Sequence, residues 1–331
     1  MIRLDDIGFY TLSENRAMLP DNQRPLARCE LIVTDRCNFR CPYCRGSKAY
    51  SRNCSGHIDF NKAQDIIDYW VYYGIKAVRF SGGEPLLYPW INEPVECCGN
   101  IERIAISSNG SLPQSRYREL ISAGVNDFSI SLDACCADGA NKMSGVSGIF
   151  ETVIENIKYV ASQAYTTVGI VLTPETLHTT VDVIKFADSL GVADIRIITS
   201  AQYNGWVMGL NGIPKDILAK YPLLRYRVNN LLGGINVRGI GDIDCNRCHI
   251  VRDDMAIAGD WHFPCVIYMR EGGEPIGEAR DGMIEARRRW AETHNTHNDP
   301  ICKKNCLDCL VEYNNHVTIY KKRGKLYEPL A

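Results

Sequence analysis

Six short apolar runs, each trailed by an amphipathic stretch or a loop, constrain the fold of this 331-residue chain more than any other feature. Glu30–Val33, Lys76–Phe80, Ile101–Ile106, Asp127–Leu132, Thr167–Leu172 and Asp194–Ile198 read as strands. The helical pattern falls between them, over Asn61–Tyr73, Pro113–Ala123, Gly148–Ala164 and Thr179–Leu190. In the first of these helices Ala63, Ile66, Ile67, Trp70 and Val71 share one face. Strands alternating with helices predict a parallel sheet, closed or nearly closed by right-handed crossovers. Functional side chains are then expected at the carboxyl ends of the strands. Around 200–241 the pattern breaks down, and Gly233-Gly234 and Gly239-Ile240-Gly241 mark a boundary. The expected division is a lead-in over residues 1–28, a β/α barrel over 29–225 and a small cysteine-rich module over 226–331.

The loop after the first strand carries Cys37, Cys41 and Cys44, three thiolates at spacings of four and three residues. A cubane iron–sulfur cluster has four iron corners and takes thiolate ligands. Three ligands from one tight loop leave one iron open to a small molecule. The competing metal is zinc, which prefers four ligands in a closed tetrahedron. No fourth Cys or His lies at close spacing, and His57 sits beyond a polar loop. Six further cysteines, Cys245, Cys248, Cys265, Cys302, Cys306 and Cys309, fall in the last third of the chain as short pairs tens of residues apart. That spacing marks a metal staple, and four thiolates could equally close a zinc site. Fifteen cysteines without an apolar signal segment point to metal ligation in a reducing compartment, hence a cytoplasmic protein, and not to disulfides. Cys29, Cys54, Cys97, Cys98, Cys135 and Cys136 are expected to be core or loop thiols, the last two near the barrel mouth.

The run Thr34-Asp35-Arg36-Cys37-Asn38-Phe39-Arg40-Cys41-Pro42-Tyr43-Cys44 resembles the radical S-adenosylmethionine (radical SAM) superfamily. Within it the run is most similar to the branch of the GTP 3′,8-cyclases and the SPASM/twitch enzymes. The resemblance implies a partial (β/α)6 barrel with a C-terminal iron–sulfur module. It also implies a 4Fe–4S cluster whose open iron chelates SAM, one-electron cleavage of SAM to a 5′-deoxyadenosyl radical, and hydrogen abstraction from a substrate. A reductase, flavodoxin or ferredoxin would donate the electron. Gly82-Gly83-Glu84-Pro85 is similar to the family loop that binds the amino group of SAM, a second Gly-Gly-Glu-Pro at 272–275 being read as a chance turn. Tyr43 stands where the family uses an aromatic whose backbone meets the adenine. Ser108 and Asn109 resemble a Thr-Asn-Gly motif, and Ser131 and Asp133 a Ser-Leu-Asp motif.

Cys245-x2-Cys248 with Cys265 is similar to the auxiliary triplet of the cyclases. Cys248, Gly259 and Cys265 with a later Cys-x2-Cys are similar to the twitch pattern, with the gap after Gly259 one residue longer than usual. One auxiliary 4Fe–4S cluster on four of the six late cysteines is expected, two at most.

The cyclases place a basic residue seven positions before the first cluster cysteine, where this chain has Glu30, and a Lys on the fifth strand that Thr166-Thr167-Val168-Gly169-Ile170 lacks. The twin-glycine end is absent from Glu328-Pro329-Leu330-Ala331. A carboxylate facing a triphosphate costs about 4 kcal/mol at an effective dielectric of 20, so GTP is disfavoured. Arg79, at a position where those enzymes keep a substrate-binding Arg, and Arg196 on the sixth strand are candidate substrate contacts. About thirty residues precede the barrel, which favours a small molecule or a peptide presented by a partner. Net charge is −2 and no run approaches the roughly 18 apolar residues of a membrane span, so neither nucleic acid nor a membrane is expected. Arg287-Arg288-Arg289 and Lys321-Lys322-Arg323-Gly324-Lys325 are the hints of an RNA substrate, and a zinc-stapled binding module is the non-enzymatic alternative. A monomer is the default.

Overall fold

The computed structural model describes residues 2–19, 26–45, 56–201 and 209–326. The six expected strands form: β1 Arg28–Thr34, β2 Ala77–Gly82, β3 Arg103–Ser108, β4 Asp127–Ser131, β5 Tyr165–Leu172 and β6 Asp194–Thr199. They pair in parallel in the order β6-β5-β4-β3-β2-β1. β6 stays at the sheet edge, so the barrel is partial and open. Three strands not read from the sequence extend the other side. β7 Asp254–Ala258 runs parallel to β1, and β8 Trp261–Phe263 and β9 Gly277–Glu278 follow antiparallel. Gly259, at φ +57°, makes the turn from β7 to β8, a conformation that glycine adopts without strain.

Strand geometry sends successive side chains to opposite faces. Leu31, Val33, Val78, Phe80, Ile104, Ile106, Phe128 and Ile130 point outward into the main core with Ala63, Ile66, Ile67 and Trp70 of the helix Phe60–Tyr72. The alternate positions Arg28, Glu30, Arg79, Ser81, Ser107, Ser129, Ser131 and Arg196 point into the bore.

The stretch expected to be irregular holds two helices, Lys215–Lys220 and Pro222–Leu232, the second packed on β6. Its buried face includes Arg227 and Asn230 beside Leu223, Leu224, Val228 and Leu231, so polar residues masked the period. The Gly-Gly-Glu-Pro at 272–275 follows the short helix Val266–Arg270 and not a strand. Cys54 and Glu328–Ala331 lie outside the described residues.

Arg287, read as part of a basic run, is 1% exposed. Its Nε donates to Val251 O at 2.9 Å, Nη1 to Phe263 O at 2.7 Å and Nη2 to Pro264 O at 2.9 Å, with Asp254 O as a further acceptor. One guanidinium thus ties the helix Met283–Thr293 to β7 and β8. Arg287→Met leaves several buried carbonyls without a donor and is expected to cost about 3 kcal/mol or more. Anaerobic urea unfolding measures it, and an unchanged midpoint would refute the clamp.

Candidate active site

At the carboxyl ends of the strands lies a cavity of about 420 Å³. Cys37, Cys41 and Cys44 line it together with Tyr43, Gly82, Gly83, Ser108, Asn109, Ser131, Asp133, Arg79 and Arg196, so the structure gathers nearly all the expected site residues in one place. Glu84 is the exception. It does not line the cavity and is fully buried.

The cysteine loop is held from beneath by backbone. Gly83 N donates to Thr34 O at 2.8 Å, and Glu84 N to Arg36 O at 2.8 Å. A Cβ on Gly82 would lie 2.2 Å from Thr34 O, and one on Gly83 2.2 Å from Arg36 O. These glycines are therefore required by the approach of the chain to itself, beside any approach to a ligand. Arg40 N donates to Ser144 O at 2.7 Å, docking the loop on the end of the helix Ala137–Ser144, which the sequence reading did not find. Cys44 N donates to Cys41 O at 3.0 Å, closing the turn that brings the second and third sulfurs together.

Glu84 organises the next strand end. Its Oε1 accepts from Leu86 N at 3.1 Å and Ser108 Oγ at 3.0 Å, and its Oε2 from Asn109 N at 2.7 Å. Asn109 Nδ2 in turn donates to Asn38 Oδ1 at 2.8 Å, within 3.9 Å of Cys37 Sγ. Burial pushes the Glu84 carboxyl up to about 7, against the pull of those hydrogen bonds. Asp133 accepts from Val171 N at 2.8 Å and from the Tyr43 hydroxyl, and burial pushes it up to about 6. Burial also raises the thiols of Cys37 and, to about 12, Cys41. Such thiols ligate as thiolates only when metal binding displaces their protons.

Beside Glu30, the bore carries Arg28, Asp254 and Arg270, which were not singled out in the sequence. Arg28 pairs with Asp254 at 2.5 Å, and Arg270 with Glu30 at 3.6 Å. Glu30 is thus not a bare carboxylate, and the repulsion of a phosphate argued from the sequence is offset by Arg270. The alternation Arg28–Glu30 on one strand signalled a charged inner face, whereas nothing local marked Asp254 as its partner.

Four late cysteines, Cys248, Cys265, Cys302 and Cys306, line a separate cavity of about 30 Å³ with Tyr268, Trp290 and Leu310. Burial raises all four thiols, Cys248 to about 12 and Cys265 to about 11. Cys309 does not line this small cavity. It lines the large cavity and its Sγ accepts from Arg227 Nη2 at 3.3 Å. Cys245 Sγ sits 2.9 Å from Thr318 Oγ1. Among the described residues one trio of ligating atoms lies mutually within 4.8 Å, that of His294, Asp299 and Cys302. Neither cysteine set is drawn in that tightly. His57 forms a backbone bridge to Thr34, and Cys135 and Cys136 do not line the large cavity.

Since the folded Glu84 and Asp133 hold protons more tightly than the unfolded chain, folded protein binds excess protons between about pH 4 and 7. Stability is expected to fall as pH rises through that window and to level off above it. Glu84→Gln leaves one of the amides of Leu86 and Asn109 unsatisfied, costs about 1–3 kcal/mol, and flattens the upper half of the slope. Denaturant midpoints at pH 5 to 8 test both, and an undiminished slope in the variant removes Glu84 from the account.

Compared with known proteins, residues 31–187 match the family described as Radical SAM superfamily. A GTP 3′,8-cyclase of Staphylococcus carnosus is 31% identical over 148 residues, 42% of this chain and 43% of that protein. The chain therefore spans less than half the length of the curated relatives it matches. Among solved structures, Streptococcus suis SuiB bound to precursor peptide SuiA superposes with a TM-score of 0.58 at 16% identity, covering 85% of this chain and 67% of that one. Native anSMEcpe with bound AdoMet gives 0.58 at 13% identity, over 91% and 98%. At such identities the likeness is one of fold.

Proposed function

This chain belongs over residues 31–187 to the radical SAM superfamily, and on that premise we propose that it is a radical SAM enzyme acting on a small molecule or peptide. Cys37, Cys41 and Cys44 would hold a 4Fe–4S cluster, which together with SAM would supply the radical chemistry for hydrogen abstraction from a substrate carbon. One observation carries the reading: three thiols on one loop face the same cavity as Gly82, Gly83, Ser108, Asn109, Ser131 and Asp133. Zinc fits less well. Tetrahedral thiolates at Zn–S near 2.3 Å stand roughly 3.8 Å apart, and no three of these cysteine sulfurs gather within 4.8 Å of one another among the described residues. A cubane spreads its ligands over separate irons.

The protein's own part is positional. Gly83, Glu84 and Asn109 fix the cysteine loop, and Tyr43 and Asp133 hold each other at the cavity wall. Residues 29–225 are the barrel in this reading, and 226–331 the module that completes the wall. Cys265, Arg270, Glu271, Leu307 and Cys309 of that module line the cavity and keep water from it.

Anaerobically reconstituted protein given SAM and dithionite is expected to form 5′-deoxyadenosine, and Cys41→Ala none. Equal yields from the two would refute the assignment. We infer an auxiliary 4Fe–4S cluster on Cys248, Cys265, Cys302 and Cys306, a reading supported by their lining one small cavity together. Wild type should then hold about eight irons per chain. Cys302→Ala and Cys306→Ala should each lose about half, while Cys245→Ala keeps them, and iron counting with Mössbauer spectra decides the ligand set.

The GTP cyclase reading is favoured by the curated relative's name. It predicts product from GTP in the same assay, whereas the non-GTP reading predicts that 5′-deoxyadenosine formation is unaffected by GTP.

A further inference from the structure

The cysteine loop is anchored differently at its two ends. Its entry is held by backbone, through Gly83 N, Glu84 N and Arg40 N. Beyond Arg40 no backbone hydrogen bond ties the loop to another element among the described residues. The exit is held by side chains. One is Tyr43, whose hydroxyl meets Asp133. The other is Arg45, next to Cys44, whose Nη2 pairs with Glu271 Oε2. The Glu271 side chain is 5% exposed and that of Arg45 33%, so the loop arginine reaches inward to a buried carboxylate. Arg238 and Lys304 also face that carboxylate. Arg238 is engaged elsewhere as well, its Nε donating to Thr199 O at 3.1 Å. A planar guanidinium suits a carboxylate with direction as well as charge, so Glu271 fixes where Arg45 lies.

Glu271 is placed by a short element that begins at the other cysteine set. It caps the carboxyl end of the helix Val266–Arg270. The amino end is capped by Cys265, whose Sγ accepts from Tyr268 N at 3.4 Å. Five residues at 1.5 Å each span about 7.5 Å. One turn and a half of helix thus separates a thiol of the small cavity from the counter-ion of the catalytic loop. Cys265 lines both cavities, and Glu271 the large one. Arg270, at the same end as Glu271, stands 3.6 Å from Glu30 on β1 and donates to Ser81 Oγ on β2 at 3.4 Å. A metal that draws in the sulfur of Cys265 therefore acts on the cap of the very helix that carries Glu271. Packed elements move as rigid pieces, so a small shift at one end is felt at the other.

We propose that Glu271 is a positioning residue for the exit of the cysteine loop, acting through Arg45, and that the helix Val266–Arg270 couples the filling of the small cavity to the affinity of the large one for SAM. The inference rests on the reading of both cysteine sets as cluster sites, and adds a regulation of the first by the second. Arg45 holds the backbone beside Cys44 and so sets the direction of that sulfur. The coupling is reciprocal: the loaded small cavity favours SAM by the same factor as SAM favours the loaded small cavity.

The test uses anaerobically reconstituted holoenzyme without reductant, with SAM as the probe and binding followed by calorimetry. The dissociation constant of SAM is expected to rise about tenfold in Glu271→Gln and in Arg45→Met, and no further when the two are combined. Iron per chain is expected to stay at the wild-type level in both. Cys302→Ala, which empties the small cavity of metal, is expected to weaken SAM binding about tenfold in the wild-type background and to add nothing to Glu271→Gln. The proposal is overturned if Glu271→Gln binds SAM as wild type does, or if its effect and that of Arg45→Met add. It is also overturned if Cys302→Ala leaves SAM affinity unchanged in the wild-type background, or weakens it equally with and without Glu271→Gln. Failure of Glu271→Gln to take up wild-type iron would make the glutamate structural and overturn it too. The iron count and 5′-deoxyadenosine yield of wild type test the cluster readings by themselves, so a fully loaded wild type that cleaves SAM, with an affinity indifferent to Glu271, sinks the coupling alone.

Discussion

Two backbone hydrogen bonds, Gly83 N to Thr34 O and Glu84 N to Arg36 O, hold the site together. They join the end of β2 to the chain leaving β1 so closely that neither Gly82 nor Gly83 has room for a Cβ. From that join the cysteine loop projects into the cavity. Glu84, carried on the same turn, reaches sideways to the amide of Asn109, which touches the loop through Asn38. Three strand ends are thereby locked by one small device, and the spacing of Cys37, Cys41 and Cys44 acquires a fixed position in space. A loop of three cysteines without this anchorage would ligate in many geometries.

The barrel itself was legible because its signals are local. Apolar runs with β-branched residues gave all six parallel strands, and the motifs at their ends fell together in one cavity. What escaped depends on distant partners. β7 is as buried as β1 along its whole length, but it follows a stretch of turns and begins at Asp254 directly after Asp253, so nothing near it in sequence announced a parallel strand. The helix Pro222–Leu232 hid because Arg227 and Asn230 are satisfied inside by Asp308, some eighty residues away. Arg287 resembled a surface charge for the same reason, its acceptors being carbonyls of β7, β8 and their neighbours. Glu84 was legible as a site residue but not in its office, since a carboxylate that caps backbone and one that binds ligand look alike in a motif.

Alternation along the strands explains how one sheet serves two purposes. Outward positions are almost all aliphatic or aromatic and pack against helices, while inward positions are Arg, Glu, Ser and Asp. A bore lined this way gains little from burial and much from pairing, so most of its charges are coupled in twos. Arg196 departs from that order, having no ion-pair partner among the described residues while its Nη2 donates to Ser129 Oγ.

β1 lies between β2 and β7, so its apolar residues Leu31 and Ile32 have paired neighbours on both sides. The C-terminal segment is therefore woven into the barrel as its adjoining strand and is not a detachable appendage. A chain cut before Asp254 would bare those residues as an open sheet edge, the kind of surface that templates pairing between molecules. Shortened versions of this protein should accordingly be found in the insoluble fraction, and limited proteolysis should spare the 29–45 segment for as long as β7 remains attached.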